Sequence, residues 1–402
     1  MRKLCRYRVA CAAVLAGVVV AASILVSGQA LPGAQPQEVG VSAERLARLD
    51  LVLSEALENR EAHGAVALVG RQGRIIYRKA FGHRALVPQT ESMTLDTVFD
   101  MASLTKVMAT ATSILILTEQ GRLSLGDRVS KFIPDFKDDG KEQITLHQLL
   151  VHYSGLRPDV DLEPVWKGYE TAIDLAKREK LRSKPGTEFI YSDINYFLLG
   201  EVVRVVTRQT IDQFSLENIY VPLGMRDTGF NPSPDVQPHI APTEMRDGAM
   251  IRGAVHDPTS FRMGGIAGHA GLFSTADDVA LFAQMILNGG VLGDARVLSP
   301  YGVLAMTTPQ SPPGADNWRG FGWDIRTRFS GNRGELFPVG SFGHTGFTGT
   351  SLWIDPHSKT FVVLLTSRLH PDGKGDVAQL RRRVANVVAA SLIDLLGAEG
   401  RR

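Results

Sequence analysis

Leu46, Leu49, Leu53, Ala56 and Leu57 recur at helical spacing across residues 42–58, a pattern that predicts an amphipathic helix. Two β-rich runs follow, Ala65 to Val69 and Ile75 to Tyr77, joined by Arg71-Gln72-Gly73-Arg74 as a hairpin turn. The far end of the chain mirrors this arrangement. Ser351 to Ile354 and Phe361 to Leu365 flank the turn Asp355-Pro356-His357-Ser358, and a helical pattern runs from about residue 376 to 396. A helix and hairpin at one terminus, with strands and a helix at the other, predict an α+β fold whose antiparallel sheet is built from both chain ends. Between them helical patterns dominate, at 144–152, 171–181, 193–207 and 276–287, and read as a large all-helical insertion. Ser274 with Asp277 three residues on approximates a capping box for the last of these.

The N-terminus follows a different rule. The basic stretch Met1 to Arg8 precedes a continuous apolar run from Val9 to Val26 and then Ser27-Gly28-Gln29-Ala30, the order of an export signal cleaved after Ala30. An uncleaved membrane anchor is the alternative, because the run approaches transmembrane length. Residues 31–40 then form a Pro/Gly/Gln-rich spacer, and 41–402 the folded part, divided into an α/β portion (about 41–120 and 338–402) and a mainly helical portion (about 121–337). In either case the folded part is expected outside the cytoplasm, in the periplasm or beyond.

Composition sharpens that picture. At 402 residues with 44% hydrophobic content the chain can bury a substantial core. Its 2 Cys, Cys5 and Cys11, both lie in the leader, so the exported part has no disulfide to rely on. Losing the four cations Arg2, Lys3, Arg6 and Arg8 with the leader turns the formal net charge from +2 to −2. No basic field for nucleic acid remains, and a membrane is a partner only if the leader stays attached. The 10 His are dispersed, and neither a His-Glu-x-x-His pair nor a Gly-x-Ser-x-Gly elbow nor a phosphate-binding loop occurs. No metal and no cofactor are expected.

Ser103-Leu104-Thr105-Lys106 places a hydroxyl and an amine one helical turn apart, close to the start of an Ala/Met/Leu-rich helix that ends near Gly121. A serine hydroxyl needs a neighbouring base or cation to act as a nucleophile, and Lys106 can supply either. The pattern is short and arises by chance roughly once in a chain of this size. A second cluster, Pro185 to Tyr196, delivers Tyr191 by a turn just before a new helix, where it serves either as a general base beside a cationic lysine or as a packing residue. A third, Gly343-His344-Thr345-Gly346-Phe347-Thr348-Gly349, sets glycines among polar residues before a β pattern, which suits either a strand edge that a ligand approaches or a bulged turn.

Together the three clusters resemble the serine β-lactamase and penicillin-binding superfamily, with its Ser-x-x-Lys, Tyr-x-Asn and Lys/His-Thr-Gly elements. The similarity is greatest to the class C β-lactamase-related branch, which includes D-alanyl-D-alanine carboxypeptidases and serine esterases. Ile144 to Leu156 and Val221-Pro222-Leu223-Gly224-Met225 also fit it. The resemblance implies a serine hydrolase with Ser103 as nucleophile, Lys106 as its activator and Tyr191 as shared acid/base. It implies an oxyanion hole from the N–H groups of Ser103 and Phe347, with His344, Thr345 and Gly346 along the substrate side. A peptidoglycan peptide or small molecule is the implied partner.

The chain departs from the pattern at two positions. Asp193 stands where the branch commonly has Asn, so a donor is lost to the substrate or a carboxylate is gained beside Lys106. His344 stands where many members carry Lys, which weakens attraction for a substrate carboxylate. Peptidase or esterase activity therefore ranks above efficient β-lactam hydrolysis, and a penicillin-recognising protein with little turnover is the rival that Asp193 suggests. His269, in the glycine-rich segment 264–271, is expected either at the pocket wall or in a structural turn.

Overall fold

A computed structural model describes residues 30–395 of the chain. The leader, apart from Ala30, lies outside the described residues. Eight strands form the main sheet: β1 (Gly64–Arg71), β2 (Arg74–Ala85), β3 (Glu91–Ser92), β4 (Trp318–Arg319), β5 (Asp324–Arg326), β6 (Phe342–Thr345), β7 (Ser351–Asp355) and β8 (Thr360–Thr366). Their order is β4-β5-β6-β7-β8-β1-β2-β3, with every pairing antiparallel. The two chain ends meet in the middle of the sheet, where Ala65 faces Thr366 and Val69 faces Val362.

Sheet strands this apolar must be covered on both faces. In β1, Ala65, Ala67 and Val69 join one core while Val66 and Leu68 join the other. The first core is closed by helices α1 (Arg48–Glu58) and α5 (Ala378–Ser391), which bury Leu49, Leu53 and Ala56, and Leu380, Val384 and Val388. The stripe expected over 42–58 is present but broken at Ala47: Ser42 caps a short first turn, accepting from the Arg45 N–H, and α1 begins at Arg48. The opposite core holds α2 (Thr112–Glu119), α3 (Asp193–Thr207) and α4 (Ala276–Leu287). The first six residues of α2 are all buried, so it is a central helix without a polar face.

The middle of the chain is not purely helical. Phe99–Asp100, Leu272–Ser274 and Gly229–Phe230 make a small three-stranded sheet, and β4 and β5 from residues 318–326 extend the main sheet beside β6. These strands have two or three residues each, too few to show an alternating pattern. The same small sheet corrects the cap of α4. Ser274 is paired with Phe99 and its hydroxyl bonds Thr228, so the capping role falls to Thr275, which accepts from the Asp278 N–H.

Candidate active site

Ser103 sits in a 3-10 turn, Ala102–Leu104, immediately after the strand Phe99–Asp100. The Asp100 carboxylate accepts from the backbone N–H of Ala102 at 2.8 Å and of His256 at 2.7 Å. These bonds hold Ala102 at φ +46°, a left-handed conformation that costs a non-glycine residue about 1–2 kcal/mol. Burial pushes the Asp100 carboxyl up to about 6 against the pull of the same backbone bonds. A π-helical segment, Lys106–Ala111, follows and leads into α2.

The loop after β6 is pinned to this lead-in. Thr348 donates its hydroxyl to the Asp100 carbonyl and Thr350 to that of Met101, at 2.7 and 3.1 Å. Gly346 lies at the closest approach: a Cβ there would stand 2.1 Å from Thr350 Oγ1 and 2.6 Å from the Met101 oxygen. Glycine is therefore a steric requirement at this position of the His344-Thr345-Gly346 element.

Lys106 is completely buried, and its Nζ reaches three oxygens: Ser103 Oγ at 3.0 Å, the His269 carbonyl at 3.0 Å and Asp193 Oδ1 at 2.6 Å. Burial alone would lower its pKa; Asp193 and Tyr191 outweigh burial and leave it above the ordinary lysine value. That direction favours the ammonium form of Lys106, which donates to Ser103. The structure brings Asp193 to Lys106 rather than to the cavity lining, the second of the two consequences its carboxylate implied.

Tyr191 emerges two residues before α3 and is enclosed by rings and cations. His152 stacks on it with centroids 4.4 Å apart, while Phe329 and His344 stand at 5.2 and 6.1 Å. Lys106 Nζ is 5.2 Å from its ring centre and the Arg319 guanidinium 6.0 Å. His344 donates from Nδ1 to the Thr345 carbonyl at 2.9 Å, the tautomer following from that bond. Burial first, then Arg319 and Lys106, drive its pKa well below the histidine value. His344 is therefore neutral, with an Nε2 lone pair that finds no partner among the described residues.

Ser103, Tyr191, His344, Thr345, Gly346 and Phe347 line one cavity of about 330 Å³. Arg319, Arg368 and Arg381 also line it, against the carboxylates of Asp324 and Asp376, so its walls carry net positive charge. Both Arg319 and Arg381 are buried with an Nε that no described group accepts from. Burial, with Arg368 next, draws Arg381 down to about 10, still a cation at neutral pH. Local patterning had singled out none of these arginines. Arg381 sits on the otherwise amphipathic α5, and Arg319 on a two-residue strand.

His269 is fully buried, packs its ring against Phe197 and makes two polar contacts: its carbonyl accepts from Lys106, and its ring Nε2 pairs with Asp257 Oδ1 at 2.9 Å. Burial opposes its charge, but Asp257 prevails and raises it. Despite its own burial Asp257 falls to about 2, held there by His269 and the Ser260 N–H. His269 is thus a support for Lys106 and does not line the cavity. Among the described residues no group of His, Cys, Asp and Glu could hold a metal ion, and no helix is long and apolar enough to cross a membrane.

A serine and a charged lysine in contact, a tyrosine beside them and a glycine-bearing strand edge, all on an antiparallel sheet backed by helices, define a β-lactamase-related serine hydrolase. The model of the family described as Beta-lactamase matches residues 49–386, and the chain belongs to that family. A relative from Escherichia coli K12, described as "Putative D-alanyl-D-alanine carboxypeptidase", is 34% identical over 386 residues, covering 85% of this chain and 86% of its own. Among solved structures, a penicillin-binding protein homolog from Caulobacter crescentus aligns with a TM-score of 0.71 at 22% identity, covering 88% of this chain and 99% of its own. EstCE1, a hydrolase with promiscuous acyltransferase activity, aligns at 0.70 and 22%, covering 86% and 99%. At that identity the two structures speak for a shared fold.

Proposed function

We propose that this protein is an exported hydrolase that works through an acyl-enzyme on Ser103 and prefers a D-Ala-D-Ala-type peptide, or a small ester, over a β-lactam. The observation that carries this reading is the 3.0 Å contact of Lys106 Nζ with Ser103 Oγ, made by a lysine whose charge Asp193 maintains. A cation donating to Oγ favours the alkoxide, so the proton must leave to another group. Tyr191 is the titratable group facing Lys106 from the cavity; entering the step as a phenolate, it takes that proton and becomes the neutral phenol as Oγ attacks the substrate carbonyl. The N–H groups of Ser103 and Phe347 receive the negative charge that develops on the carbonyl oxygen. Tyr191 then returns the proton to the leaving amine or alcohol, and water, deprotonated by the same residue, releases the acyl group.

Substrate choice follows from the cavity wall. With His344 neutral, attraction for a carboxylate rests on the Arg319 and Arg381 cations: Arg319 donates to the Gly322 carbonyl and stands 3.4 Å from Asp324, Arg381 donates to the Gly346 and Thr350 carbonyls, and each keeps an Nε with no acceptor among the described residues. A peptide ending in D-alanine presents such a carboxylate one residue from the scissile bond. The relative's description agrees with this class of substrate, and the basic, apolar, then small order of residues 1–30 supports export. A turnover panel of a D-Ala-D-Ala peptide, p-nitrophenyl acyl esters and nitrocefin tests the reading. Hydrolysis of the peptide or the esters with a higher kcat/KM than nitrocefin is expected. Nitrocefin as the best substrate would overturn the ranking, and no turnover of any of them would favour a penicillin-recognising binder.

A further inference from the structure

We propose that His152 is a positioning residue for Tyr191, holding the proposed acid/base in place from both sides of the chain and from beneath its ring. The proposal rests on the assignment of Tyr191 above. Tyr191 follows the turn at residues 185–187 and precedes α3, so its own segment has no regular structure to fix it. The two residues that flank it are both bound by His152. The Ile190 N–H donates to the His152 carbonyl at 3.0 Å, and the Ser192 N–H donates to His152 Nδ1 at 3.1 Å. Between these two anchors the imidazole stacks on the Tyr191 ring, with centroids 4.4 Å apart and planes 28° from parallel.

The imidazole is itself held in one state and one orientation. Asn195, one turn into α3, brings its Nδ2 to 3.3 Å from the same Nδ1, and its Oδ1 is fixed by the Ser154 hydroxyl at 2.6 Å. An Nδ1 that accepts from the Ser192 amide must be unprotonated, so the proton of the neutral ring is on Nε2. That Nε2 is buried and has no partner among the described residues, an arrangement that costs about 1–3 kcal/mol. His152 also adopts φ +62°, in the left-handed region where asparagine, aspartate and histidine are the enriched non-glycine residues. An asparagine there would supply an acceptor but no ring, so what the imidazole adds is the stack beneath Tyr191.

The positioning has a direction in the chemistry. Tyr191 has both Lys106 and Arg319 near its ring, and a displacement of about 1 Å of a reacting group costs on the order of 10²-fold in rate. Two variants separate the contributions of His152. His152→Asn keeps an acceptor near the Nδ1 position and suits the backbone, but removes the stack. His152→Leu removes both. Steady-state kinetics on a p-nitrophenyl ester, with thermal melts of each variant and Tyr191→Phe alongside, reads the outcome.

The expected result is a kcat lower by on the order of 10²-fold in His152→Leu with KM within about threefold, and a partial recovery in His152→Asn. An unchanged kcat in a folded His152→Leu, with Tyr191→Phe inactive, would overturn the proposal and leave the assignment of Tyr191 intact. A fully active Tyr191→Phe would overturn that assignment instead. If His152→Leu does not fold, His152→Asn decides: a kcat equal to that of the native protein contradicts a role for the stack.

Discussion

Asp193 Oδ1 lies 2.6 Å from Lys106 Nζ, a carboxylate against a fully buried ammonium where the related motif carries a neutral amide. Burial lowers the Lys106 pKa, and Asp193, with Tyr191, raises it above the ordinary lysine value. The proposed function builds on that pairing by giving the serine proton to Tyr191.

Replacing Asp193 with asparagine removes that counter-charge, leaving burial to dominate and the lysine pKa to fall. In the native protein the raised Lys106 contributes stability that is fully present below the unfolded value of about 10.4 and is lost as pH rises through its folded pKa. In Asp193→Asn the sign reverses, and the buried charge becomes a cost at neutral pH. A loss of about 2–3 kcal/mol at pH 7 is expected, somewhat below the ~3–5 kcal/mol of a broken, fully buried pair because Asp193 is partly exposed. Melts at pH 7 and pH 10 should show the deficit shrinking at the higher pH, and the alkaline limb of kcat/KM should move to lower pH. An unchanged limb would mean that Asp193 does not control the lysine.

Arg319→Met tests the carboxylate preference. A charge-assisted hydrogen bond of about 1.5–3 kcal/mol corresponds to roughly 10- to 150-fold in affinity. KM for a D-Ala-D-Ala peptide should rise by at least about tenfold, while KM for an uncharged p-nitrophenyl ester stays within about threefold. Equal effects on both substrates would show a general packing defect and not recognition of the charge.

A different carboxylate bears on stability alone. Asp278, near the start of α4, accepts from the Thr228 hydroxyl and the Asp227 N–H, yet burial pushes its pKa up to about 7. It lines a larger cavity, about 850 Å³, that contains none of the active-site residues. Because the folded state holds the proton more tightly than the unfolded chain, this group's contribution to stability falls as pH rises from about 4 to 7. Asp278→Asn does not titrate and keeps an acceptor oxygen. Its Tm should exceed that of the native protein by on the order of 2 °C at pH 8, with the advantage gone at pH 4. A variant less stable at pH 8 than at pH 4, relative to native, would contradict this.

The fold was most legible where the pattern is long. Residues 193–207 and 276–287 form helices over those same spans, and both chain-end hairpins pair as their alternation requires. The strands at 318–326 escaped notice because each is set by pairing beside β6 and not by its own periodicity. In the site, Ser103, Lys106, Tyr191 and His344 stand in three short motifs whose joint resemblance to the family, rather than local spacing alone, marked them as candidates, and the structure brings them together. Arg381 and His152 could not, because their environment is created by distant segments: the carbonyls of Gly346 and Thr350 around Arg381, and the amides of Ile190 and Ser192 around His152.

Intact-mass measurement after exposure to a fluorophosphonate tests the central claim most directly, that Ser103 is an activated nucleophile. The native protein should gain one phosphonyl adduct, located on Ser103 by peptide mapping, and Ser103→Ala should gain none. A native protein that stays unmodified, or a Ser103→Ala variant labelled to the same extent, would contradict the account.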